Sequence, residues 1–383
     1  MLYADRHGYL MLADGSQTLW LTSDDMLCDR QVGNWSQRGN WSPEGRYLAF
    51  TCGYAGSSTV VILDTQTGTF KRVDAGSNAT NLSLAWPHPW SPTAAEFVIV
   101  VESNRGGELS LVDAATGHLK QPGLLELGNL WSAVAWSPSG DRIAVLRILT
   151  HGVSPSPGID PGLYIVNNDR SNPRLIADVF VDGSILHSLD WSRDGRSIVV
   201  DKSVTDGLWA IRVSPDTAAQ VSQPITNSLE VPTTFRWSPD GRHYLVKERL
   251  LDPAVGTSPS GDRKPYWSLY DANNRLIRRY SSGPNQSVID VAWMPDSRQI
   301  MMLVVATDAT AEIVAAVIGG QEIVAGRFPN AATGNLTNGR IAVAPRGMLV
   351  AIGLGSGRIM ILDPQGGLRA ELAGEIFEWR PRP

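Results

Sequence analysis

The sequence predicts an all-β fold, a β-propeller of eight four-stranded blades in a single domain spanning 1–383, on three observations. A short phrase built on Trp-Ser-Pro-x-Gly recurs along the chain. The stretch after each copy carries the signals of further strands. The two ends of the chain read together as one more unit of the same kind. Repetition at a period of about fifty residues with four strands per unit describes a propeller blade.

The phrase appears as Trp41-Ser42-Pro43-Glu44-Gly45, Trp90-Ser91-Pro92 and Trp136-Ser137-Pro138-Ser139-Gly140. It continues as Trp191-Ser192-Arg193-Asp194-Gly195 and Trp237-Ser238-Pro239-Asp240-Gly241. Degraded copies stand at Trp293-Met294-Pro295-Asp296 and Ala344-Pro345-Arg346-Gly347, and a fragment, Trp379-Arg380-Pro381, at the C-terminus. Ser-Pro-Asp-Gly suits a type I turn, with Pro pre-set at its second position and Gly at its fourth. Apolar runs on both sides make that turn a hairpin. The residue two before each Trp is mostly apolar, as Val134, Leu189, Phe235 and Val291 show. It shares a face with the Trp, so that face is expected to pack on the next blade. Third strands end in Asp before a Gly turn, as in Ile62-Leu63-Asp64 and Ile361-Leu362-Asp363.

Seven phrases open seven blades, and Trp379 has no room for three strands after it. The N-terminus supplies them, with Tyr9-Leu10-Met11-Leu12 and Thr18-Leu19-Trp20-Leu21 as strand candidates. The eighth blade therefore takes its innermost strand from the C-terminus and the other three from the N-terminus, which removes free sheet edges. The alternative is a seven-bladed ring with both tails docked outside.

Trp-Ser-Pro-Asp-Gly-Arg followed by an apolar strand resembles the repeat of TolB-like propellers, relatives of the WD40-like repeat group. The resemblance covers essentially the whole chain. It implies a non-catalytic scaffold for protein-protein interaction, of a kind that works in the bacterial cell envelope. It does not choose a partner, because one fold hosts many functions.

Composition narrows the classes. The chain has 383 residues, 43% of them hydrophobic, and a formal net charge of −5. A duplex-binding surface needs clustered Lys and Arg, so no nucleic-acid partner is expected. The densest basic run, Arg278-Arg279, reads as solvated charge at a strand end. No stretch approaches the ~20 apolar residues of a membrane helix, so no membrane insertion is expected. Asp5, Arg6 and His7 interrupt the first apolar residues, unlike a signal peptide. A chain starting natively at Met1 would be cytoplasmic, whereas a signal or anchor upstream would place it outside the cytoplasm. Two cysteines, Cys28 and Cys52, form neither a disulfide framework nor a Cys-x-x-Cys site, and a bond between them is geometrically allowed.

No chemistry is written into the sequence. The six histidines have no ligand spacing, and no calcium-loop pattern occurs, so no metal is called for. No Gly-x-Ser-x-Gly elbow and no phosphate-binding glycine loop occur, and neither a catalytic group nor a cofactor is expected.

Function is therefore sought on loops. Connections between second and third strands, and between blades, are expected to be long and to share one face. Residues 150–162 and 252–265 stand out, followed by 326–340 and 22–37. Rigid scaffolds present function on such loops. Candidate binding residues are Trp35 and Trp131 as aromatic platforms, His151 and Asp160 in the first long loop, and Asp252, Asp262 and Arg263 in the second. The residue just before each Trp faces the other side. Asp190 and Arg236 hold that position in adjacent units, which suggests an ion pair between blades near the channel. The leading partner is a protein or peptide on the long-loop face. The alternative is a small ligand or glycan at the channel mouth.

Overall fold

The computed structural model describes residues 2–4, 10–13, 18–20, 40–54, 57–104, 106–128, 131–149, 157–169, 173–177, 189–203, 207–212, 221–224, 234–249, 265–280, 285–329, 339–354, 357–373 and 376–380. Strands and turns account for their regular structure, with no helix among the described residues. The chain divides into two compact units, one of Met1–Arg30 with Thr234–Arg380 and one centred on Gln31–Thr233.

The chain opens on β1 (Leu2–Ala4), β2 (Leu10–Ala13) and β3 (Thr18–Trp20). In the unit centred on 31–233, β4 (Asn40–Trp41), β5 (Tyr47–Tyr54), β6 (Ser57–Asp64) and β7 (Thr69–Arg72) form the first sheet. Then come β8 (Ala79–Leu84), β9 (Trp86–Pro87), β10 (Glu96–Ser103), β11 (Gly106–Asp113) and β12 (Leu119–Gly128). β13 (Trp131–Trp136), β14 (Arg142–Ile148), β15 (Gly162–Asn167) and β16 (Arg174–Ala177) make a third sheet. β17 (Leu189–Trp191), β18 (Ser197–Ser203), β19 (Gly207–Arg212) and β20 (Val221–Pro224) make a fourth.

The other unit repeats the plan. Its sheets are β21 (Thr234–Trp237), β22 (His243–Arg249), β23 (Pro265–Asp271), β24 (Leu276–Tyr280); β25 (Gln286–Trp293), β26 (Gln299–Ala306), β27 (Ala311–Val317), β28 (Glu322–Phe328); and β29 (Arg340–Val343), β30 (Val350–Gly353), β31 (Arg358–Leu362), β32 (Leu368–Ala373). The last strand, β33 (Ile376–Glu378), pairs antiparallel with β1, with Leu2 opposite Glu378 and Ala4 opposite Ile376. The resulting sheet runs β3-β2-β1-β33, so its innermost strand comes from the C-terminus and its other three from the N-terminus.

The expectation of uniform four-stranded blades needs correction. Six of the sheets are four-stranded and each is drawn from one stretch of chain. The sheet of β13–β16 has a fifth strand, because β9 pairs parallel with β13, with Trp86 opposite Ala133. The phrase at Trp90 consequently lies outside a strand, held by an isolated bridge to Phe97. Proline cannot donate to a ladder, and Pro87 and Pro89 interrupt what the repeat would make a continuous first strand.

The Ser-Pro-x-Gly turns are built as their sequence predicts. Ser42 is buried; its carbonyl accepts the Gly45 N–H at 2.8 Å and its hydroxyl accepts the Tyr47 N–H at 2.9 Å. Ser192 and Ser238 repeat both bonds with Gly195 and Ser197, and with Gly241 and His243. A positive φ is needed at the fourth position: 70° at Gly45, 66° at Gly195 and 70° at Gly241. In the degraded copy Ser297 takes that conformation, and its hydroxyl accepts the Asp240 N–H of the neighbouring turn at 3.0 Å.

Within each unit the sheets pack face to face. One core joins β13–β16 to β17–β20 through Leu146, Leu163, Trp191 and Val200. Another joins β21–β24 to β25–β28 through Trp267, Leu269, Val291 and Met302. The repeat tryptophans do more than fill space. Trp90 Nε1 donates to the Asn40 carbonyl at 2.9 Å, Trp136 Nε1 to that of Pro89 at 2.8 Å and Trp191 Nε1 to that of Ala135 at 2.9 Å. In the other unit Trp293 Nε1 reaches the Arg236 carbonyl at 3.1 Å. Each of these acceptors directly precedes the Trp of the preceding phrase. Trp379 Nε1 reaches Ala342 at 3.1 Å, two residues before Ala344, the position where the phrase has lost its Trp.

Cys52, buried on β5, is disulfide-bonded. The other cysteine of the sequence, Cys28, lies outside the described residues.

Candidate functional site

Two places in the fold gather chemistry-bearing residues. The first is the end of the sheets at which first strands begin and second strands finish. In β13–β16, Trp131 opens β13 opposite Ile148, the last residue of β14, and the adjacent Arg147 stands opposite Gly162, which opens β15. Trp131, Ile148 and Gly162 therefore share one end of the sheet. Asp160 is exposed on the approach to β15, and its carbonyl accepts the Tyr164 hydroxyl at 3.0 Å. Arg147 is buried beside it, its guanidinium 4.4 Å from the Tyr164 ring centre and bonded to the Glu126 carbonyl. Trp35, His151, Asp252, Asp262 and Arg263 lie outside the described residues.

The connections at this end are not uniformly long, contrary to expectation. β5 ends at Tyr54 and β6 begins at Ser57; β10 ends at Ser103 and β11 begins at Gly106. β26 and β27 are joined across Thr307–Thr310. The ladders run nearly to the tip, and glycine makes the reversal possible, as at Gly106 with φ 112°. Among the described strands, the long separations in sequence between second and third strands are those from β14 to β15 and from β22 to β23.

The second place is the first-strand edge of β21–β24, β25–β28 and β29–β32. Arg236 does form an ion pair between sheets, but with Asp290 on β25, at 3.1 Å. The same guanidinium donates to the Val291 carbonyl. Asp290 is buried, and its second oxygen accepts the Ile341 N–H of β29 at 3.0 Å. Lys247 Nζ donates to the Ile289 carbonyl at 2.7 Å, and both cations approach the ring of Trp267. Backbone groups along the open edge of β25 and β29 are thus satisfied by side chains. Arg340 stands at the head of β29 beside this group. Desolvation pulls its guanidinium below its ordinary pKa, the Asp290 carboxylate opposes that, and Arg236 adds to it.

The sequence reading found Arg236 but missed Asp290, Lys247 and Arg340. Asp290 lies at an odd offset from Trp293, the same side as the position that drew attention to Arg236. From Asp290 to Trp293 the strand keeps a regular register against β26, so this offset was readable; the register shift lies before Asp290, after Val288. In the other unit, Asp190 occupies the expected position on β17, and its Oδ1 accepts the Trp191 N–H at 2.8 Å. Burial pushes its carboxyl above the ordinary range, while His88, the Trp191 N–H and Arg193 oppose that shift.

No protein-family model matches the chain, and no curated protein matches it. Solved structures do. The dihydro-heme d1 dehydrogenase NirN, in complex with DHE, is similar with a TM-score of 0.58 at 14% identity, over 98% of this chain and 73% of that one. The Swd1 β-propeller domain of Myceliophteria thermophila is similar over 84% of this chain and 94% of its own, at 14% identity and a TM-score of 0.45. A TolB from Agrobacterium tumefaciens is similar over 69% and 84%, at 19% identity and 0.43. Repeated four-stranded sheets and a match across nearly the whole chain define the class: this is an all-β propeller. The identities show the fold alone, and a dehydrogenase stands among the matches, so the fold does not separate enzymes from binding proteins.

Proposed function

We propose that the chain is a single eight-bladed ring closed by β1 and β33, and that it serves as a non-catalytic scaffold for a protein or peptide partner. Recognition is assigned to the long second-to-third-strand connections, 150–162 in one unit and 252–265 in the other. The observation that supports this is the contrast in connections. Tight reversals such as Tyr54 to Ser57 join most second and third strands, whereas β14 to β15 and β22 to β23 are interrupted by long segments rich in Pro, Gly and Ser. Chain that adds nothing to the ladders is where a rigid scaffold presents recognition. Trp131 and Asp160 stand at the β14-to-β15 end of their sheet, and tryptophan is among the residue types enriched at interface hot spots.

The test replaces 150–162 and 252–265 with two-residue turns and compares capture of partners from a lysate of the source organism. The captured partner is then purified and titrated against both proteins. The intact protein is expected to bind at least about tenfold more tightly, a difference of about 1.4 kcal/mol. Equal capture and equal affinity would remove function from these connections.

A further inference from the structure

We propose that the first-strand edge of β21–β24, β25–β28 and β29–β32 is a binding site for an oxyanion, a carboxylate or phosphate group, gripped by Arg236 and Arg340 on either side of Asp290. This is independent of the scaffold reading, and either can fail alone.

The argument begins with charge. Arg236 pairs with the Asp290 carboxylate, Lys247 donates to the carbonyl of the adjacent Ile289, and Arg340 lies within the field of both Asp290 and Arg236. Asp290 is already engaged: Arg236 lies 3.1 Å from Oδ1 and donates to Oδ2, which also accepts the Ile341 N–H. Lys247 is directed to the Ile289 carbonyl. Arg340 is left over. It is partly buried, yet among the described residues its guanidinium takes no hydrogen bond and no ion pair. A cation drawn out of water with no hydrogen-bonded counter-charge is costly, and proteins seldom leave one so.

Geometry points the same way. Arg236 and Arg340 lie on the first strands of their sheets, and Asp290 lies on the first strand of the sheet between them. In a propeller these strands surround the central channel. The Arg236 side chain keeps 33% of its exposure, so it remains open to a solute. A guanidinium has five N–H donors, and Arg236 commits only some of them. Two planar guanidinia flanking one carboxylate leave a net positive site whose unused donors match the oxygens of a carboxylate or phosphate. A bound anion would complete the alternation of charge. The overall net charge of −5 makes this cationic spot a local feature.

The competing account is a purely structural staple, in which Arg236 and Asp290 tie the sheet edges and Arg340 only adds to the local charge. The two accounts differ in what added anions do. Inorganic phosphate and citrate are titrated separately into the intact protein by calorimetry, in buffers matched in ionic strength with sodium chloride. Saturable one-site binding is expected for at least one, and which one separates a phosphate site from a carboxylate site. Arg340→Gln is expected to weaken it about tenfold or more, and Arg340→Lys less, because a charge-assisted bond is lost in the first and partly kept in the second. The arginine Nε–H resonances of the unsubstituted protein give a second readout that needs no variant. Those of Arg236 and Arg340 should move with the anion, while that of Arg369, whose side chain is 64% exposed in its ion pair with Asp363, should not. No saturable binding, unchanged affinity in Arg340→Gln, or equal movement of all arginine signals would overturn the proposal.

Discussion

At the scale of the residue, the repeat tryptophan has two jobs, and only one was legible. Burial was readable from its place in an apolar strand. The hydrogen bond was not, because its acceptor is the backbone of another repeat, some fifty residues away in sequence. One signal was available: the phrase keeps Trp rather than Phe or Leu at most copies, and only Trp joins a large apolar body to an N–H donor. This separates two buried tryptophans experimentally. Trp136 Nε1 donates to the Pro89 carbonyl, whereas Trp267 Nε1 has no partner among the described residues. Both Trp136→Phe and Trp267→Phe lose ring volume. Only Trp136→Phe also removes a hydrogen bond, one of the two that the Pro89 carbonyl accepts (the other is from the Val98 N–H), worth about 0.5–1.5 kcal/mol. Urea unfolding should therefore show Trp136→Phe as the more damaging change by about that amount, and equal midpoints would mean that the indole N–H contributes nothing net.

At the scale of the element, hairpin turns were legible and sheet edges were not. Ser, Pro and Gly each have a local reason to sit where they do, so the turn can be read from consecutive residues. The bulge before Asp290, the strand donated by Trp86–Pro87 and the bonds along the edge of β25 depend on chain remote in sequence. The turns between third and fourth strands show the same division. Gly68 and Gly366 both have positive φ, at 70° and 85°. A Cβ at Gly68 would meet nothing within 4 Å, whereas one at Gly366 would lie 2.5 Å from the Ala325 carbonyl oxygen and 2.6 Å from Gly326 Cα on β28. Gly68→Ala should cost about 1–2 kcal/mol, the penalty of a left-handed conformation alone. Gly366→Ala carries that same penalty and must also separate two sheets. A clearly larger loss of stability is therefore expected, and similar losses in the two variants would show that the sheets yield without cost.

At the scale of the whole molecule, the pairing of the chain ends was legible because each end is an incomplete unit and the two fragments are complementary. The size of the resulting assembly follows from stacking: each sheet buries its faces only against neighbours, so any gap exposes two apolar faces at once. β33 contributes little area of its own, three residues against β1. Just beyond it, Trp379 packs with Ala342, Ala351, Ile359 and Leu372 and donates to the Ala342 carbonyl. Removing residues 375–383 would therefore strip the inner partner from β1 and uncover the face of β29–β32 together. In a closed ring this opens the circle, and the loss should exceed the sum of those local contacts. The expected result is a clearly lower midpoint in urea and a broader transition, because sheets freed from closure unfold by stages rather than together. Equal midpoints and equal slopes for the truncated and intact chains would show that β1 and β33 merely touch, and that whatever holds the sheets in register acts elsewhere.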